Sequence, residues 1–544
     1  MATGLQAVDW VVVVGYLAGL IALSAWLARG QTSGRDYYLG GNRTGPLPLA
    51  LSTMATQCST NSILGATAFV ALAESGGLVW LQYELAVPLA MVVIMVLLMP
   101  IFRGLSLISV YDYLERRYGL KTRLVLSLMF QVLRAFSTGV TIFGVGVVLE
   151  ATFGLALWQS VVALAVVTIV YDVLGGMRAV IWSDVIQLFV LLGAVLVAAW
   201  LMVDLNGGLA ETWRLLGTSA EGWRLQTVDF AGHGLGDGQS FAFWPMLIGG
   251  LFLYVAYYGC DQTQAQRGLS ARSVREANQA LFLGGLLRFP FVLTYCLVGV
   301  ALGAYVVGHP EFLEKLPLGT DGKPQANAAL PVFVLEHFPP GLVGLVVVGL
   351  FAAAMSSLDS TINSLSALSL EDLVGRLRRE PLGERATFLL GKVLTLFWGV
   401  VCAVFAFFVG DIAETIIESV NKIGSLINGP LLALFVMGML THKANEAGML
   451  AGLIAGFGTN LVLWLEVPEI SWLWWNVIGF GVCAGVGYLL SWILASARAV
   501  DAAVLAVGHF RERGAGTPVW AYLALLGFAG VILAVLLGLQ LLAD

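Results

Sequence analysis

The chain has 544 residues, of which 59% are hydrophobic and only 11% charged, whereas a soluble domain carries about a quarter of its residues as charges. That composition excludes an ordinary soluble domain and implies an all-α polytopic membrane protein whose surroundings are a lipid bilayer. The net charge of −6 is small for the length and no basic domain stands out, so nucleic acid is not an expected partner.

Apolar runs of spanning length, about 20 residues each by the thickness of a bilayer core, follow one another along the chain. They lie near 8–28, 45–71, 77–102, 122–151, 157–177, 180–203, 242–262, 277–306, 330–370, 388–409, 414–440, 445–466, 470–494 and 517–541, which predicts fourteen transmembrane helices. No basic segment precedes the first run, and its length suits a retained span rather than a cleaved signal peptide. Five cysteines stand singly in apolar runs with no CxxC and no histidine cluster, which argues against disulfides and structural zinc.

The second run is interrupted. Its stretch "LSTMATQCSTNSILG" (51–65) places small and polar side chains inside an apolar segment, the pattern of a discontinuous helix. Unwinding frees backbone carbonyls, which membrane depth tolerates only where they line a cavity or bind something. A hard cation satisfies such oxygens. Later, "AAAMSSLDSTINSLS" (352–366) forms a two-faced helix: Ser356, Asp359, Ser360 and Asn363 fall at i, i+3, i+4 and i+7, and Met355, Leu358, Ile362 and Leu365 gather opposite.

Alternate connecting segments differ in basic charge. One set carries 21 of the 28 lysines and arginines and the other carries four, Arg214, Arg224, Lys315 and Lys323. The basic set is expected to be cytoplasmic, which puts both termini outside. Three cations remain within spans, Arg134, Arg288 and Lys422, beside the carboxylates Asp184 and Asp359. Each intramembrane charge costs about 2.5 to 3.5 kcal/mol on insertion scales, so such residues point to a cavity or an ion path.

Seven segments carry a resemblance, in order along nearly the whole chain: "DYYLGGNR" (36–43), "LSTMATQCSTNSILG", "SVYDYLERRYG" (109–119), "YDVLGGMRAVIWSDVIQ" (171–187), "YYGCDQTQAQR" (257–267), "AAAMSSLDSTINSLSALSLEDL" (352–373) and "HKANEAGMLAGLIAG" (442–456). Together they resemble the sodium:solute symporter family, most of all its iodide, monocarboxylate and multivitamin branch. The resemblance implies a LeuT-type core of five plus five inverted helices at 45–440. One extra N-terminal helix within 1–30 precedes that core, and three extra helices within 445–544 follow it.

It also implies sites. A sodium ion (Na+) is expected between the carbonyls of Ala55, Cys58 and Ala353 and the hydroxyls of Ser356 and Ser357. A second cation, sodium or a proton, is expected at Asp184, Ser356, Asp359 and Ser360, with Asp359 standing where relatives have a hydroxyl. The substrate pocket maps onto Gln57, Ser62, Glu84, Tyr257, Arg288 and Asn421. Ser137 matches a position where sialic acid carriers place a carboxylate-binding arginine, and Arg134 lies one turn before it.

An arginine fork grips a carboxylate through two parallel hydrogen bonds. Two arginines near the pocket therefore favour a small organic anion such as a monocarboxylate, unless Arg288 is taken by Asp261 or Glu84. The resulting expectation is a plasma- or inner-membrane symporter, monomeric as a functional unit, that imports its small-molecule substrate with sodium. A neutral sugar or polyol is the alternative cargo. Against an enzyme stand the missing HExxH, GxSxG and GxxxxGKS patterns and five scattered histidines. A sensor would need a soluble module, and the last run ends near 541. A channel suits the broken helix less well than alternating access does.

Overall fold

The computed structural model describes residues 5–58, 60–74, 76–217, 222–319, 322–378, 382–408, 416–494, 500–506 and 517–543. Among them there is no strand, only isolated bridges. In chain order the principal helices are α1 (Ala7–Leu27), α2 (Pro46–Gln57), α3 (Thr60–Leu72), α4 (Leu78–Gly104), α5 (Leu120–Phe153), α6 (Leu157–Leu205) and α7 (Pro245–Gly259). They continue as α8 (Val274–Gly308), α9 (Leu342–Leu368), α10 (Glu384–Phe408), α11 (Ile416–Leu440), α12 (Glu446–Glu466), α13 (Trp472–Ile493) and α14 (Val519–Ala543).

Eleven helices among the described residues are long and apolar enough to cross a membrane, against the fourteen expected. Three local features account for the difference. The expected span 45–71 is broken: α2 ends at Cys58, whose φ of −78° and ψ of 57° leave the helical region, and α3 starts at Thr60. The expected spans 157–177 and 180–203 are both present: the 49-residue run α6 is two helices that meet at a kink at Gly176, and it enters the eleven as one. Their combined length is about 74 Å at 1.5 Å per residue, more than twice a bilayer core of about 30 Å, which is enough for two crossings. The bend needs glycine, because φ is 53°, ψ is −153° and a Cβ there would lie 2.6 Å from the Tyr37 carbonyl oxygen. The expected span 242–262 is the shorter α7. The expected run 330–370 is also divided, into a helix at Ala329–His337 and, beyond the turn at Pro339–Gly341, α9.

Burial sorts the helices into layers. Within their most apolar windows α9 is 83% buried, whereas α1, α10 and α14 are each 22% buried. The last three turn valines, leucines and tryptophans such as Trp26 and Trp520 outward. Uniformly apolar helices with bare outer faces fit a lipid solvent. The inner position of α9, packed against α1, α2, α5, α6 and α10, brings its polar face to the break after α2.

Candidate ion and substrate site

A short helix, Gln262–Ser270, follows α7 and carries Arg267 into the interior. The Arg267 side chain is 2% exposed and Asp184, on α6, is fully buried. Nε donates to Ser52 Oγ at 2.7 Å, Nη1 to the Thr263 carbonyl at 2.6 Å, and Nη2 to Asp184 Oδ2 at 2.7 Å and Ser360 Oγ at 2.5 Å. Nη2 also donates to Thr56 Oγ1. Asp184 receives Ser52 Oγ on Oδ2 at 2.5 Å and Ser356 Oγ on Oδ1. Thus Asp184 and Ser360, expected around a mobile cation, hold a guanidinium of the protein itself, and Ser356 braces Asp184 from behind.

Asp359 faces elsewhere. Its Oδ2 accepts from Tyr171 Oη at 2.5 Å and Ser183 Oγ at 3.4 Å, and its Oδ1 from Ser360 Oγ at 3.1 Å. Ser360 is the one residue of the expected set that touches both carboxylate environments.

At the break, Ser357 Oγ lies 3.2 Å from the Thr56 carbonyl and 3.5 Å from that of Ala353. Ala55, Cys58 and Ala353 are buried as well. Carbonyl and hydroxyl oxygens from α2 and α9 therefore converge there, a donor set that fits a hard monovalent cation. Ser356 points from the same helix toward Asp184 instead.

A cavity of about 200 Å³ opens next to the break, with Gln57, Ser62, Arg134, Ser137, Tyr257, Arg288, Ser357 and Thr361 in its wall. Glu84 lies behind the wall, fully buried, with its Oε2 3.1 Å from Arg288 Nε. Its Oε1 accepts from Arg288 Nη2 and Tyr254 Oη, each at 3.4 Å. Arg288 Nη1 meets the Cys58 sulfur at 3.5 Å, so the side chain at the break has a role beyond its carbonyl. Arg134 is held more loosely. Asp261 is 3.6 Å away, longer than a hydrogen bond, the guanidinium lies 5.8 Å from the Tyr257 ring centroid, and Nε is buried without a partner. Gln57 Oε1 is likewise buried and unpartnered. The Asn421 side chain lies outside the described residues.

The sequence profile described as the sodium:solute symporter family matches residues 37–456. The chain belongs to that family. Among its relatives are the human sodium/iodide cotransporter, 31% identical over 82% of this chain and 67% of that protein, and human sodium-coupled monocarboxylate transporter 1, 30% identical over 83% and 72%. A sodium/sialic acid symporter of Aliivibrio fischeri is 26% identical over 90% and 94%. A Na+-coupled sialic acid symporter solved in a substrate-bound outward-open state superposes with a TM-score of 0.80 at 23% identity, over 91% of this chain and 99% of that one. At that identity the likeness shows a shared LeuT-like fold.

Two further motifs of this symporter are absorbed by an ionic cluster. Arg123, 2% exposed, pairs with Asp112 at 2.9 Å, Glu115 at 2.7 Å and Asp372 at 2.5 Å. Arg117 donates to the carbonyls of Gly438 and Thr441 at the end of α11. "SVYDYLERRYG" and "SLEDL" thus tie the ends of α5, α9 and α11 together. Sequence reasoning missed Arg267, Ser52 and Thr56 at the ion site. For Arg267 a signal existed: two carboxylates within spans need a cation, and a matched motif ends on an arginine.

Proposed function

We propose that this chain is a sodium-driven importer of a small organic anion, built as the inverted five-plus-five core at 45–440 with both termini outside and working as a monomer. One observation carries the choice of an anion: Arg134 lies in the wall of the cavity with 19% of its side chain exposed, and its carboxylate neighbour Asp261, also in the wall, stands 3.6 Å away, beyond hydrogen-bond distance. A guanidinium at membrane depth without a hydrogen-bonded carboxylate is costly, and a substrate carboxylate meeting its exposed face lowers that cost. The volume of about 200 Å³ is below the ~300–1,000 Å³ common for larger ligands, which suits a monocarboxylate. Arg288 is neutralised by Glu84, so it shapes the pocket and leaves the anion to Arg134. Gln57, Ser62, Ser137 and Tyr257 supply polar contacts around it. Sodium supplies the driving gradient. Ala55, Cys58, Ala353 and Ser357 would hold the ion at the break, next to the Gln57 wall of the cavity.

The test is competition for uptake between a monocarboxylate and its neutral amide. The acid is expected to compete and the amide to fail. Arg134→Ala leaves the anion desolvated and unpaired at about 2 to 5 kcal/mol, at least ~30-fold in affinity. An amide that competes as well as the acid would turn the reading toward a neutral solute.

A further inference from the structure

Of the four residues expected to hold a second mobile cation, Asp184 and Ser360 already meet a cation of the chain, Ser356 is spent on Asp184, and Asp359 is taken up by the hydroxyls of Tyr171, Ser183 and Ser360. We propose that Arg267 is the built-in second cation of this symporter: its guanidinium fills the cage of Asp184, Ser52, Thr56 and Ser360, so the chain binds one sodium ion and not two.

The cage has the chemistry of a hard-cation site, with one carboxylate, three hydroxyls and the Thr263 carbonyl around the guanidinium. Nη2 has two hydrogens and three side-chain oxygens around it. That is the crowding of ligands round a centre of charge rather than a pair of directed hydrogen bonds. Both oxygens of Asp184 are in use, Oδ1 by Ser356 and Oδ2 by Ser52 and Arg267. No lone carboxylate oxygen of that residue faces a vacancy. The guanidinium does not give up its proton in a protein, so deprotonation never empties the cage. A sodium ion entering it would meet a like charge at contact distance in a dry interior. Arg267 and Asp184 come from different elements, the short helix after α7 and the second half of α6. The pair therefore also ties those elements as a bound ion would.

The inference rests on sodium being the coupling ion, so its test counts ions without using the transported solute. Equilibrium binding of radioactive sodium to the purified full chain is expected to saturate at one ion with a Hill coefficient of one. Arg267→Ala empties the cage and is expected to bind two, and adding Asp184→Asn should return the count to one. Arg267→Lys keeps the charge and should stay at one. Two ions on the wild-type chain overturn the proposal, as does a folded Arg267→Ala that still binds one. If that variant does not fold, the wild-type count decides alone. No binding at all by the wild-type chain would sink sodium coupling, and the inference with it, a result distinguishable from a count of two.

Discussion

Arg267 and Arg134 are both guanidiniums enclosed by the helix bundle, and they differ in how completely the protein satisfies them. Arg267 donates to five oxygens at hydrogen-bond distance. Arg134 has one carboxylate at 3.6 Å and a buried Nε with nothing to donate to. A charge that the fold satisfies in full holds helices together, whereas one that it satisfies in part can still take a partner, which is the role proposed for Arg134. Arg288 lies between the two, paired with Glu84 yet part of the cavity wall.

That intermediate residue gives the largest expected effect. Removing one partner of a buried pair costs about 3 to 5 kcal/mol, because the other charge is left uncompensated. Arg288→Ala should therefore lower the unfolding transition of the detergent-solubilised chain sharply, and adding Glu84→Gln should recover much of the loss. An Arg288→Ala protein as stable as wild type would move Arg288 out of the structural group and beside Arg134 as a ligand for the substrate.

These distinctions were only partly legible in the sequence. The broken second span was, because unwinding at membrane depth demands small and polar side chains, and the break falls at Cys58 within the quoted stretch. The buried face of α9 was, because its serines, Asp359 and Asn363 repeat at helical spacing. The division between the runs at 157–177 and 180–203 was as well, and it falls at Gly176, whose φ of 53° and ψ of −153° separate the two helices of α6. Arg267 was counted among loop cations. Its partner Asp184 is 83 residues away in the chain, and no periodicity reports a contact that a long side chain makes across elements. The pairing of Arg288 with Glu84 was open between two carboxylates, and only the packing of α4 against α8 decides it.

Neighbouring serines sharpen the comparison further, since Ser356 donates to Asp184 of the Arg267 cage and Ser357 belongs to the break. Losing a hydroxyl from a dry polar site costs about 1 to 3 kcal/mol. Ser357→Ala is expected to weaken sodium binding by that amount with little change in unfolding. Ser356→Ala should do the reverse, because it strips a donor from Asp184. Sodium titration and thermal unfolding on both variants check this. Equal losses of sodium affinity from the two would merge the cage and the break into a single ion site.

The smallest effect concerns the geometry of the charge at Arg134. A lysine there keeps the positive charge but replaces a planar fork with a point, so a bidentate grip on a carboxylate becomes a single contact. One charge-assisted hydrogen bond is worth about 1.5 to 3 kcal/mol, and the retained charge offsets part of that loss. Arg134→Lys is therefore expected to raise the KM for a monocarboxylate by about 10-fold, near 1.4 kcal/mol. Turnover at saturating substrate and sodium affinity should change little, because Ser357 and its carbonyl neighbours are untouched. The discriminating measurement is the KM ratio of lysine to wild type for an acid and for its neutral amide. If Arg134 holds the carboxylate, the substitution shifts the acid alone. A lysine variant with wild-type KM for the acid would mean that charge without direction suffices, and Arg134 would then attract the anion into the cavity without gripping it.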